Sequence, residues 1–335
     1  MIEPLRQRIQ AYPGTLTYLD LIRRNRRESA FILVAVILLG VVIGAVLAGV
    51  LSLKAGATGP EDLLPSVLLG GAAALVAGLL ASAWSWFGGA GAILAMSGAR
   101  PLEKNEDPEL FNVVEEIAIA AGLPMPRIYL LPDEAMNAFA TGRDPRTAVV
   151  AVTAGLRQRL TRDELQGVVA HEMAHVRHLD VRFGMLLATL VGLIVFACDA
   201  AFRVVLRGGR WGRRGSGRGG GGAALIILMA VGLVLALVAP FISRLMQLAY
   251  SRRREYLADA GAVELTRNPE GLASALAKLA DDTQPLVESA NRGTAHLFIV
   301  NPLRRMRLSR QSLDSIFSSH PPIQERIARL LALAR

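Results

Sequence analysis

Val169-Ala170-His171-Glu172-Met173-Ala174-His175-Val176 is the stretch on which the reading of this 335-residue chain turns. It holds His-Glu-x-x-His inside a segment of helical character. Thr161 and Glu164 have the form of a capping box, and Leu165, Val168, Val169 and Val176 recur at helical spacing. Residues four apart on a helix share a face, so His171 and His175 can turn two imidazoles to one zinc ion. Glu172, one position round, can reach a water on that ion without ligating it. Zinc so held is a Lewis acid for a scissile carbonyl, and Glu172 is then the general base that takes the proton of the attacking water. With 5 His in the chain, chance supplies roughly 0.006 such matches. The plainer alternative, a surface helix with two unrelated histidines, is weak beside that.

Two imidazoles and a water leave one protein ligand to find. The metzincin spacing would put a histidine six residues after His175, where Val181 stands. His178 shares the face of His171 but lies two turns along the axis, too far to close a tetrahedron, and reads as a surface or supporting residue. Ser243 to Thr266 reads as a helix, and within it Glu255 and Asp259 are four apart. Glu255 is the candidate third ligand. Asp259 can accept a hydrogen bond from the far nitrogen of a ligating histidine. Taken alone, the two would be a solvated acidic pair beside Arg252, Arg253 and Arg254.

An apolar fraction of 52% and a mean hydropathy of +0.39 are high for a soluble protein. Four apolar runs account for both. Cys198, the one cysteine, excludes an internal disulfide and reads as a small buried apolar residue. The net charge of +9, with arginines beside the apolar runs, suits anionic lipid at a cytoplasmic membrane face, and no nucleic acid is expected. Residues 1–28 form a cytoplasmic N-terminal segment in which Leu16 to Ile22 suits a short amphipathic helix. Residues 29–99 form a membrane hairpin of two spans, Ser29 to Leu53 and Leu63 to Trp86, and Gly88 to Ala99 either extends the second helix or lies in the interface. Residues 100–182 hold the first part of a metallopeptidase domain. Residues 183–243 form a second hairpin around an Arg-Gly loop, 207–222, and residues 244–335 complete the domain. Because His175 and Glu255 must share one ion, the chain between them crosses the bilayer twice or not at all. About twenty apolar residues from Ala223 to Ile242 favour two crossings, against the pull of Arg207, Arg210, Arg213, Arg214 and Arg218. The Arg-Gly loop then lies outside the cytoplasm and the zinc site inside.

In the soluble part, Asn105 to Ala121 reads as an amphipathic helix. Arg127–Leu131, Asn137–Gly142 and Thr147–Thr153 read as short strands, the last two joined by a turn at Gly142–Pro145. An exposed edge at Asn137, Ala138 and Phe139 can take a substrate peptide as an added strand; plain structural pairing is the equal alternative. Gly271 to Leu279 reads as a helix. His320 sits on a constrained loop, where it can donate to a developing oxyanion or be an ordinary loop histidine. A last helix, Ile323 to Leu333, carries Arg326. The expected fold is mainly α with a small β-sheet: four apolar membrane helices plus a zincin-like α+β metallopeptidase domain.

Together His171-Glu172-Met173-Ala174-His175, Arg254-Glu255-Tyr256-Leu257-Ala258-Asp259, Asn137-Ala138-Phe139-Ala140, Asn301-Pro302 and His320-Pro321-Pro322 with Arg326 resemble the HtpX-type membrane metallopeptidases, relatives of the CAAX prenyl proteases. The resemblance runs from about residue 16 onward. It implies one zinc ion on His171, His175 and Glu255, with Glu172 as general base and Asp259 supporting a ligand. It also implies that His320 and Arg326 lie near the substrate or transition state. The activity it implies is endoproteolysis of misfolded or damaged membrane proteins, a quality-control and stress role, at a site facing the cytoplasm of a bacterial inner membrane. Membrane chaperones or other proteases are the partners of such a role. Two alternatives are a CAAX-type processing protease, whose known relatives have seven spans, and an inactive membrane adaptor, against which the intact His171, Glu172, His175 and Glu255 speak.

Overall fold

A computed structural model describes residues 18–57, 59–208, 254–282, 299 and 321–334. No proline interrupts residues 18–54, so α1 (Tyr18–Lys54) is one helix, and the arginine-rich segment runs into the apolar one without a break. The expected separate surface helix at Leu16 to Ile22 is therefore not distinct, at least from Tyr18 on. α2 (Pro60–Met96) opens with Pro60 in its first turn and continues through Gly88 to Met96, which settles that stretch as helix. The two helices run antiparallel and touch at the backbone. A Cβ placed on Gly70 would lie 2.5 Å from the Gly44 carbonyl oxygen, and one on Gly44 would lie 2.7 Å from that of Gly70. Close approach of this kind holds helices together where lipid removes the hydrophobic drive between them.

α6 (Asp180–Gly208) completes the apolar layer, with Leu190, Ile194 and Cys198 buried against Val36 and Ile43 of α1. Three helical stretches are long and apolar enough to cross a membrane: Arg26–Leu53, Pro60–Met96 and Asp180–Ala200. Phe31, Leu69 and Phe87 stand out from them into the surroundings. The expected fourth apolar run, Ala223 to Ile242, lies outside the described residues, so the count among those described is three.

The remaining elements build the other half. β1 (Arg100–Pro101), β2 (Arg127–Leu131), β3 (Ala138–Thr141) and β4 (Val149–Thr153) form one mixed sheet in the order β1-β2-β4-β3. β2 and β4 are parallel, Arg127 opposite Val149; β3 returns antiparallel, Ala138 opposite Val152. Val149 to Val152 of β4 are all apolar, as suits a strand covered on both faces. Val150 and Val152 face the main core, made with α3 (Pro108–Ala121), α5 (Arg162–His178), α8 (Pro269–Asp281) and α9 (Ile323–Leu333). Val149 and Ala151 face Ile93 and Leu94 at the end of α2 and Met185 of α6. The short α4 (Ala154–Arg159) links β4 to α5, and helical residues 254–266 form α7. The sheet thus lies between helices α3, α5, α8 and α9 and the ends of two apolar helices, with β3 at its margin.

Candidate active site

α5 starts where the capping box places it. Thr161 accepts from the Glu164 N–H, and the Glu164 carboxylate accepts from the Thr161 N–H at 2.8 Å. The same carboxylate also accepts from Ser274 at 2.6 Å and pairs with Lys278 at 2.7 Å, which pins the helix to α8. Gly167 lets the two helices close, since a Cβ there would meet the Leu272 backbone nitrogen at 2.7 Å. α5 is consequently almost wholly buried, with His171 and Glu172 among its buried residues.

On that helix the Nε2 atoms of His171 and His175 face each other at 3.2 Å. α7 brings the Glu255 carboxylate to 3.7 Å from the first and 3.6 Å from the second. Among the described residues, ligand atoms of His171, His175 and Glu255 all lie within 4.8 Å of one another. Each imidazole has a carboxylate behind it. His171 Nδ1 lies 3.0 Å from Asp259 Oδ1, and His175 Nδ1 lies 3.2 Å from Asp180 Oδ2. Such acceptors keep the proton on Nδ1 and leave the Nε2 lone pairs converging on one point. Two converging lone pairs beside a buried carboxylate call for a cation, and two imidazoles with one carboxylate are a donor set of catalytic zinc. The protonation balance tells the same story. Burial lowers the His175 pKa, but the Asp180 and Glu255 carboxylates outweigh it and push the value up to about 10, so a proton supplies the missing positive charge. Burial also pushes Glu172 up to about 7, opposed by His175 and by a backbone hydrogen bond with Ala140. Glu172 therefore sits between the metal-ligand group and β3.

Asp259 is itself gripped by Arg326 from α9, through Nε at 2.9 Å and Nη2 at 2.7 Å, and Nη1 lies 3.0 Å from Glu255. Burial would raise the Asp259 pKa; Arg326 and His171 hold it down at about 2. Arg326 is 1% exposed and meets carboxylates rather than open space. Asn137, Ala138 and Phe139 enter the outermost strand but are themselves buried, and the Ile299 N–H already donates to the Ala138 carbonyl at 3.0 Å. Of the two readings of this edge, an open one and a structurally paired one, the Ala138 carbonyl shows pairing at that point. His178 is buried, not on the surface, and lies outside the ligand group; burial pushes its pKa down to about 4. His320 lies outside the described residues.

Sequence reasoning passed over Asp180, and it named Arg254 only as a neighbour of Glu255, with no role of its own. Asp180 is five residues beyond His175, off the helical repeat. It is returned to the site by Leu179, which caps α5 in the left-handed conformation at φ 64°. The apolar run that begins at Phe183 was the signal available, because it marks a new helix whose first residue is acidic.

The model of Peptidase family M48 matches residues 104–334, more than half of the chain and every residue of this group. A protein named Protease HtpX homolog from Dictyoglomus turgidum is 48% identical over 238 residues, 71% of this chain and 73% of its own length. Another of that name, from Streptococcus uberis, is 37% identical over 309 residues, 92% of this chain and 97% of its own. Among solved structures, that described as the crystal structure of S. mikatae Ste24p is similar at a TM-score of 0.47 and 20% identity, covering 76% of this chain and 57% of that one. From the extent of the family match and these two relatives, the chain belongs to peptidase family M48 and is a metalloprotease.

Proposed function

We propose that this integral membrane metalloprotease is a zinc endopeptidase whose substrates are misfolded or damaged membrane proteins. The observation that carries the reading is the convergence of His171, His175 and Glu255 within 4.8 Å, with the Glu172 carboxylate buried beside them. One zinc ion on those three residues would supply a Lewis acid for the scissile carbonyl and for water. Glu172 would take the proton of the attacking water and return it to the departing amine. Asp259 and Asp180 would hold the two imidazoles in the ligating tautomer. Arg326, gripping Asp259 and lying against Glu255, supports a positioning role. His320 precedes α9 by three residues, which favours a place near the developing oxyanion.

The exposed apolar side chains of α1 and α2 support membrane-borne substrates, because they put the site on a protein held at the bilayer. The arginines ahead of the first apolar run favour a cytoplasmic site at a bacterial inner membrane. The reading keeps the layout of two hairpins, with residues 223–242 as the fourth span and a zincin-like domain shared between residues 100–182 and 244–335. A substrate strand alongside β3 fits the Glu172–Ala140 contact, provided it displaces Ile299 from Ala138. The test is zinc content of the purified chain, together with cleavage of an unfolded substrate. The proposal expects about one zinc per chain, loss of cleavage with chelator and recovery with zinc. Cleavage indifferent to chelator would overturn it.

A further inference from the structure

Three buried polar side chains line up behind His175. Asp180, the first residue of α6, turns Oδ2 to His175 Nδ1 at 3.2 Å and Oδ1 to Nη1 of Arg254 at 2.7 Å. Arg254 is 3% exposed and stands next to Glu255 on α7. Its Nη2 donates to Oγ of Ser29, fully buried in α1 where the apolar run begins. The path from the first apolar helix to a metal-ligand candidate is therefore two side chains long.

The two histidines are supported alike and anchored differently. Behind His171 stand Asp259 and then Arg326, which lies on α9. Behind His175 stand Asp180 and then Arg254, whose second prong reaches α1. A guanidinium is a rigid planar fork, so a residue bonded at both prongs relates the positions of its two acceptors. The carboxylate behind a ligating imidazole in turn sets ring rotation and tautomer. Buried Asp180 needs a partner for its charge in any case. A lysine would serve that need, but its donors all sit on one nitrogen and cannot span two acceptors held at the separate prongs of the fork.

We propose that Ser29, Arg254 and Asp180 are positioning residues that tie the orientation of His175 to the first apolar helix, so that this helix helps set the affinity of the site for zinc. The proposal rests on the reading of His171, His175 and Glu255 as zinc ligands.

Zinc affinity of the full chain, in detergent or nanodiscs, is measured by competition with a chromophoric chelator, and zinc-free melting temperatures are measured alongside. Asp180→Asn should weaken binding about 10- to 100-fold. Arg254→Lys, which keeps the charge and loses the fork, should weaken it about 10-fold, and Ser29→Ala several-fold. Ser29→Ala added to Asp180→Asn should weaken binding no further, because the path is already cut; added to Asp259→Asn, it should act independently. Ser29→Ala changes one oxygen and no charge, so it keeps the test open where a charged variant does not fold. A purely structural contact would lower the zinc-free melting temperature and leave zinc affinity alone. Zinc bound by wild type, Arg254→Lys and Ser29→Ala with equal affinity would overturn the coupling alone. A wild type that takes up no zinc would overturn the ligand reading and the coupling with it.

Discussion

His171 Nδ1 lies 3.0 Å from Asp259 Oδ1, and both oxygens of that carboxylate are held by Arg326. Asp259→Asn keeps the shape and removes the charge that orients the ring. It should weaken zinc binding about 10- to 100-fold. Glu255→Ala removes a candidate ligand and should weaken binding much further. Chelator competition on the purified variants checks both, and a Glu255→Ala protein with wild-type affinity would exclude Glu255 from the ligand set.

Glu172→Gln should abolish cleavage of an unfolded substrate while zinc content stays at the wild-type level, because Glu172 moves protons and binds no metal in this arrangement. Preparations of wild type that clip themselves should be whole in the Gln variant. Substantial residual cleavage would assign the base elsewhere.

The same residue makes a pH-dependent prediction for the chelated protein. Its pKa rises on folding from 4.5 to about 7, so ionising it opposes the fold. The stability it allows is complete below about pH 4.5 and is lost as pH rises through about 7. Glutamine does not titrate. The melting temperature of Glu172→Gln relative to wild type should therefore climb between those pH values and level off above them. A constant difference across the range would show that burial does not perturb this carboxyl.

Gly70→Ala puts a methyl group 2.5 Å from the Gly44 carbonyl oxygen, and the two helices must part to admit it. Overpacking of this kind costs about 1–3 kcal/mol. Gly91→Ala, on the same helix with nothing within 4 Å, is the control and should be neutral or slightly stabilising. Thermal melts in detergent should separate the two variants.

Much of the site was legible because its signals are local. The capping box at Thr161 and Glu164 located α5, and the four-residue spacing of Glu255 and Asp259 carried both acidic partners. The final helix runs from Ile323 to Leu333 as its periodicity predicts. The failures have physical causes too. Asp107 caps α3 and Pro108 takes its first turn, so the helix begins three residues after the Asn105 expected. Two residues suffice for β1, too few for any alternation to show. Arg254 and Asp180 are separated by 74 positions, and only packing reveals that they meet. The arginines at 23–27 were taken to end a segment, but charge does not break a helix when no proline follows.

Topology of the later runs is tested by a cysteine at Ser216, introduced on a Cys198→Ala background. An impermeant thiol reagent should label it in intact cells if residues 183–206 and 223–242 both span. Labelling only after the membrane is opened would instead favour two helices against the cytoplasmic face.

Leu179 is the one residue between the helix bearing both histidines and a helix apolar enough to enter a bilayer. The lipid and the chemistry therefore meet at a single pair of backbone dihedrals. When acyl chains are shorter or longer than an apolar helix requires, the helix tilts, and each ångström of mismatch costs a fraction of a kcal/mol. A few ångströms are comparable to the roughly 1 kcal/mol of a hydrogen bond, and Asp180 stands at the pivot with its bond to His175. Acyl-chain length should thus be a control variable for turnover, as much a property of this enzyme's environment as pH or zinc supply.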